Sequence, residues 1–187
     1  MKMMITGASR GIGAACRKKF ENDYEVITIA RTGDMTENGD LACLEFREMI
    51  VDKYKDIDVL INNAGIQSKN YFLTQELNQI AACHLMECYA ARSTRIINMG
   101  SSSSSWVANS TIPNKYIYYS VSKMALKKFA EFLAVEYSCN ITTLEPGRVG
   151  GTGMGKESKL KPDYIADVIS WILDQPVIID SIKLRGE

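Results

Sequence analysis

The chain has 187 residues, with 22 Lys+Arg against 22 Asp+Glu and a formal net charge of zero at pH 7. That balance gives no support to a nucleic-acid partner or an acidic membrane surface, either of which asks for a basic face, and no apolar run is long enough to span a bilayer. At 46% hydrophobic and 24% charged residues, the composition is that of an ordinary globular protein, and the length suits a single domain, 1–187, with one core.

The chain opens on the apolar run "MMIT", read as a short strand, and turns at once into "TGASRGIG", Thr6 to Gly13. A helical pattern follows from Ile12 to about Asn22. "YEVITIA" (Tyr24–Ala30) is β-branched and strand-like. Leu44 to Tyr54 reads as a helix, "IDVLINNAG" as a buried strand entering a turn, and Thr74 to Arg92 as a polar helix. "RIINMG" is another strand, followed by the serine tract Ser101 to Ser105. Tyr119 to Tyr137 reads as a long helix, "ITTLE" as a strand ending in "PG", Asp163 to Leu173 as a last helix and "VIIDSIKL" as a closing strand. Strands alternating with helices predict an α/β fold: a doubly wound parallel sheet with helices on both faces, in the Rossmann manner. Parallel strands covered on both faces should be continuously apolar, and these are. No signal peptide precedes the glycines, and the five cysteines include no C-x-x-C pair. Reduced thiols in a cytoplasmic protein are therefore expected.

Strand, glycine-rich turn and helix form the phosphate-binding arrangement of a dinucleotide fold. Gly7 permits the sharp turn off the strand. Gly11 and Gly13 let backbone and helix approach a pyrophosphate with no Cβ in the way. The helix beginning near Ile12 then aims its free N–H groups and positive dipole end at the phosphates. The strand "ITIAR" ends in Ala30 and Arg31, where NAD-specific folds carry an acid for the ribose hydroxyls. Arg10 lies in the glycine loop. Two guanidinium groups and no carboxylate at that strand end favour a 2′-phosphate, so NADP(H) is the preferred cofactor, with NAD(H) as the other possibility. Tyr119 and Lys123 share one helix face. A phenol has a pKa of about 10, and a neighbouring ammonium is expected to lower it towards the working range.

"TGASRGIG", "NNAG" (Asn62–Gly65), "YSVSK" (Tyr119–Lys123) and "PG" (Pro146–Gly147) occur in the order seen in short-chain dehydrogenases/reductases, which the sequence resembles over essentially its whole length. The resemblance implies a carbonyl reductase, or an alcohol dehydrogenase run backwards, in which Tyr119 protonates the carbonyl oxygen and Lys123 also holds the nicotinamide ribose. It aligns Ser101 with the catalytic serine, with Gly100 in place of the usual first serine, and leaves Ser102 and Ser103 as competitors. It offers Asn78 as the fourth catalytic residue, in a helix region that is shortened. For the cofactor it implies Gly7, Ser9, Arg10, Gly11, Ile12, Gly13 and Arg31 at the phosphates and ribose. Asp40 and Leu41 fall at the adenine, Asn63, Ala64 and Gly65 on the cleft floor, and Pro146, Gly147 and Thr152 at the nicotinamide. The span between Ser101 and Tyr119 is longer than usual, and the segment after "PG" is short. The short segment suggests a large or tethered carbonyl or alcohol substrate.

A homodimer or homotetramer is expected, with Met124, Leu126 and Phe132 of the long helix at the interface. Cys83, His84 and Cys88 cluster without enough ligands for a metal, and none is expected. A non-catalytic NADP(H)-binding protein on the same fold is the alternative. A nucleotide-sugar epimerase ranks last, because it needs a longer C-terminal substrate domain.

Overall fold

The computed structural model describes residues 1–92, 94–105, 116–152 and 158–186. One seven-stranded sheet runs through it in the order β3-β2-β1-β4-β5-β6-β7. The strands are β1 (Lys2–Thr6), β2 (Glu25–Ala30), β3 (Glu37–Asn38), β4 (Val59–Asn62), β5 (Arg95–Met99), β6 (Ile141–Pro146) and β7 (Ser181–Leu184). Every pairing is parallel.

Strand side chains alternate between two cores. Met3 and Ile5, Val59 and Ile61, and Ile97 and Met99 face α1 (Gly11–Phe20) and α6 (Pro162–Leu173). Met4, Leu60, Ile96 and Ile141 face α2 (Leu44–Lys53), α4 (Ala82–Ala90) and α5 (Ile117–Glu136). Helix α6 shows why such segments fold as they do. Pro162 fills the first helical position and Asp163 the first turn, where a missing N–H costs nothing and a carboxylate meets the dipole. Ile165, Ala166, Ile169 and Ile172 then form one buried stripe.

The sheet departs from expectation at one edge. Parallel neighbours normally need a crossover of a dozen residues or more, yet β2 reaches β3 through residues 31–36 with no helix between them. A reciprocal threonine pair pins the short turn: Thr28 N donates to Thr36 Oγ1 at 3.1 Å, and Thr36 N to Thr28 Oγ1 at 2.9 Å.

The long helix α5 corrects one interface expectation. Leu126 is wholly buried in the core, whereas Met124 and Phe132 are 54% and 67% exposed. Ile117, Val121 and Val135 join them as exposed apolar residues, at spacings that place all five on one stripe. Among the described residues no helix is long and apolar enough to cross a membrane.

Candidate active site

A cleft of about 850 Å³ opens at the C-terminal ends of the strands, where ligands bind in open α/β sheets. Two loops are locked together to make its floor. Thr6 Oγ1 accepts from Asn63 N and Ala64 N, both at 2.9 Å. Asn63 Nδ2 donates back to Thr6 O at 2.9 Å and to Gly7 O at 3.3 Å. The glycine turn and "NNAG" thus hold one another before any ligand arrives. Gly7 makes its turn at φ 69°, in the left-handed region that favours glycine. Gly13 serves packing rather than the phosphate approach expected of it: it does not line the cleft, and a Cβ there would stand 2.2 Å from Gly7 O. Helix α1 starts without a side-chain cap and without an acid in its first turn. Its open N–H groups next to Ser9, Arg10, Gly11 and Ile12 on the cleft wall suit an anionic pyrophosphate.

At the other end the catalytic candidates converge. Tyr119 and Lys123 stand on α5 and line the cleft. Ser101, directly beyond β5, is buried and lines the cleft together with Tyr119, whose phenol pKa it helps to hold down. Ser103 sits behind it, its Oγ donating to Ser101 Oγ at 2.9 Å. Lys123 is 3% exposed, and its Nζ donates to Met99 O at 2.8 Å. Burial draws its pKa down to about 8, which leaves it charged at neutral pH.

The phenol moves opposite to the sequence expectation. Burial raises the Tyr119 pKa, and the Ser101 hydrogen bond offsets this only in part. Lys123 Nζ lies 5.9 Å from the ring centre and is turned to the Met99 carbonyl, so desolvation of the phenol dominates. Tyr119 is a protonated acid at neutral pH.

Asn78 lies in a π-helical turn, Glu76–Ala81, a distortion that recurs at functional sites. It is wholly buried and does not line the cleft. Its Oδ1 accepts from Ile66 N at 2.7 Å, and its Nδ2 donates to Ile66 O at 2.8 Å and Ser122 Oγ at 3.2 Å. It holds the wall at Ile66 against α5.

Gly100 has a local reason. A Cβ there would approach Thr143 Cγ2 to 2.9 Å and Glu145 Cγ to 3.2 Å, so β6 occupies the space a serine would need. Glu145, 1% exposed, anchors the serine turn from below. Its carboxylate accepts from Ser104 Oγ and from Lys127 Nζ, each at 2.5 Å. Replacing Glu145 by Ala strands the Lys127 ammonium and frees the turn. The expected loss is about 2–4 kcal/mol of unfolding free energy, because removing one partner of a buried pair is costly. Urea unfolding measures it.

At the far end, beyond β2, Ala30, Arg31, Asp40 and Leu41 line the cleft, as do Arg10 and Thr32. A carboxylate is present there after all: Asp40 pairs with Arg31 at 3.9 Å. Both side chains are largely exposed, so the attraction is weak, and Arg10 adds a second cation. Pro146, Gly147 and Thr152 also line the cleft, with Thr152 Oγ1 donating to Val149 O at 2.9 Å. The sequence reading missed Ile66, Gln67, Tyr116 and Arg148 on the walls. Arg148 was the findable one, since it follows "PG" directly. Among the described residues no group of three or more His, Cys, Asp or Glu side chains is placed to hold a metal ion.

The sequence profile described as short chain dehydrogenase matches residues 34–163. The chain is 24% identical over 233 aligned residues to the NADP-dependent 3-hydroxy acid dehydrogenase YdfG of Salmonella typhimurium, covering 96% of this chain and 92% of that protein. Among solved structures, the alcohol dehydrogenase of the archaeon Thermococcus sibiricus, complexed with 5-hydroxy-NADP, superposes with a TM-score of 0.83 at 23% identity over 100% of this chain and 97% of that one. A 4-hydroxyisoleucine dehydrogenase complexed with NADH gives a TM-score of 0.85 at 23% identity over 100% and 98%.

Proposed function

The chain belongs to the short-chain dehydrogenase family, and from that premise we propose that it reduces a carbonyl to an alcohol, or runs the reverse, using NADPH and Tyr119. An oxidoreductase acting between alcohol and carbonyl with a nicotinamide cofactor follows from the family itself. The observation that carries the finer reading is a cleft lined by Ser101, Tyr119 and Lys123 at one end and by Arg10 and Arg31 at the other.

The bound dihydronicotinamide would supply the hydride. Ser101 would donate a hydrogen bond to the substrate oxygen as negative charge gathers there, and Tyr119 would transfer its proton to that oxygen. Lys123, held against Met99 O, would bind the ribose and stabilise the phenolate left behind. Pro146 and Gly147 would hold the nicotinamide edge, and Thr152, close to Gly11, would stand between it and the pyrophosphate. The relatives named above act on a 3-hydroxy acid and on 4-hydroxyisoleucine, so hydroxy acids and their oxo partners are the first substrates to try. We assign the exposed stripe from Ile117 to Val135 to a homodimer interface. Sedimentation of the purified chain reads this directly, and a monomer would refute it.

Fluorescence titration tests the cofactor choice. NADPH is expected to bind at least tenfold tighter than NADH. Arg31→Ala should weaken NADPH by about 10–100-fold, the worth of a charge-assisted hydrogen bond of 1.5–3 kcal/mol, and leave NADH nearly unchanged. Tighter binding of NADH would overturn the arginine argument.

A further inference from the structure

Resting on the reductase reading, we propose that Arg148 is the substrate-specificity residue and that it receives a carboxylate, so that the substrate is a hydroxy acid or its oxo acid partner.

Among the described residues the cations lining the cleft are Arg10, Arg31, Lys123 and Arg148, and the acid lining it is Asp40. Three of the cations have work elsewhere. Arg31 is paired with Asp40 at the far end. Arg10 stands on the glycine turn before α1, beside Gly11 and Ile12 on the phosphate side and with no side-chain cap bond, and Lys123 is buried against Met99 O. Arg148 is exposed, and its guanidinium has no ion-pair or hydrogen-bond partner among the described residues.

Its backbone, by contrast, is tightly held. Gly147 N donates to Leu184 O at 2.8 Å and Gly150 N to Leu160 O at 2.9 Å. Arg148 O itself accepts from Ser158 Oγ at 2.5 Å. The side chain therefore springs from a fixed point at the end of β6. That point belongs to the reacting end of the cleft, since a Cβ on Gly147 would lie 3.9 Å from Ser102 Oγ, next to Ser101. The loop does reach the pyrophosphate side, but through Thr152, whose Cγ2 would meet a Cβ on Gly11 at 3.4 Å.

An uncompensated guanidinium at the mouth of a partly desolvated cleft attracts an anion, and its planar fork matches a carboxylate through two parallel hydrogen bonds. Among the described residues no carboxylate lining that end would oppose it. Anchoring the substrate there while its carbonyl oxygen meets Ser101 and Tyr119 supplies the orientation on which rate depends.

The experiment uses the whole chain saturated with NADPH, titrated with short 2-, 3- and 4-hydroxy acids and with their methyl esters, binding being read by cofactor fluorescence. At least one acid is expected to bind tenfold or more tightly than its ester. Arg148→Met should remove that preference by weakening the acid and sparing the ester, and should leave the NADPH dissociation constant within about twofold. Arg148→Lys should restore only part of it, because an ammonium lacks the fork. Esters binding as well as acids in the unaltered protein would overturn the proposal. So would an Arg148→Met variant that loses NADPH affinity instead, which would place the guanidinium on the cofactor. Absence of NADPH binding in the unaltered protein would be a failure of the reductase reading itself, and this inference would fall with it.

Discussion

Tyr119→Phe is expected to lower kcat/KM for carbonyl reduction by about 10³-fold, within the 10²–10⁴ range of a general acid, and to leave NADPH affinity within about twofold. The phenol is the one group at the reacting end that meets Ser101 and carries a removable proton at neutral pH, because burial holds its pKa above the ordinary value. Phenylalanine keeps the ring, and with it the packing around Lys123 Nζ at 5.9 Å, so the fold and the cofactor site stay in place. Steady-state kinetics beside a binding titration separate the two effects. A variant that turned over at the original rate would remove Tyr119 from the mechanism. The neighbouring lysine adds a pH signature. Reduction by the unaltered enzyme should decline as pH rises through about 8, where Lys123 loses its proton and with it the charge that stabilises the Tyr119 phenolate left by proton transfer.

The second large effect is structural. Gly13→Ala should cost about 3 kcal/mol or more of stability, at or beyond the upper end of what overpacking a close contact costs. The added Cβ would stand 2.2 Å from Gly7 O, 2.8 Å from Gly7 C and 2.8 Å from Asn63 Nδ2. Two of these atoms are backbone, and the third is the clamp between the glycine turn and "NNAG", so no flexible side chain can swing aside. Alanine's better helix propensity, about 1 kcal/mol, offsets only part of the loss. Helix α1 must tilt away from β1, which takes its N-terminal N–H groups off the phosphate position. NADPH affinity should therefore fall together with the urea midpoint. A normal midpoint with normal affinity would show that the turn relaxes freely.

Much of this was legible in the sequence because the signals are local. "TGASRGIG" reads as strand, turn and helix within thirteen residues of the start. The spacing of Tyr119 and Lys123 fixes their common helix face, and the β-branched runs announce buried parallel strands. The illegible parts depend on contacts between distant segments. Which serine meets Tyr119 is set by a turn that Glu145 holds from the next strand. Whether a phenol beside a lysine falls or rises in pKa depends on where Met99 O draws the ammonium. Asn78 resembles an ordinary helix-surface residue until Ile66 and Ser122 close on it. Leu126 differs from Met124 and Phe132 only by its angle around α5. The two-residue β3 and its helix-free approach carry no pattern long enough to read, and only the pairing of Ile29 with Glu37 and Ala30 with Asn38 reveals a strand.

The central claim is hydride transfer from a nicotinamide bound in this cleft, with Tyr119 as the acid. The most direct measurement incubates the protein with NADPH deuterated at the transferable nicotinamide position and a panel of short oxo acids and aldehydes, and follows the label by mass spectrometry. Deuterium is expected on the alcohol carbon of at least one product, and its transfer should vanish with Tyr119→Phe while that variant still binds NADPH. Label that stays on the cofactor with every carbonyl, in a protein that binds NADPH, would contradict the claim and make the chain a binder of the nucleotide instead of a catalyst.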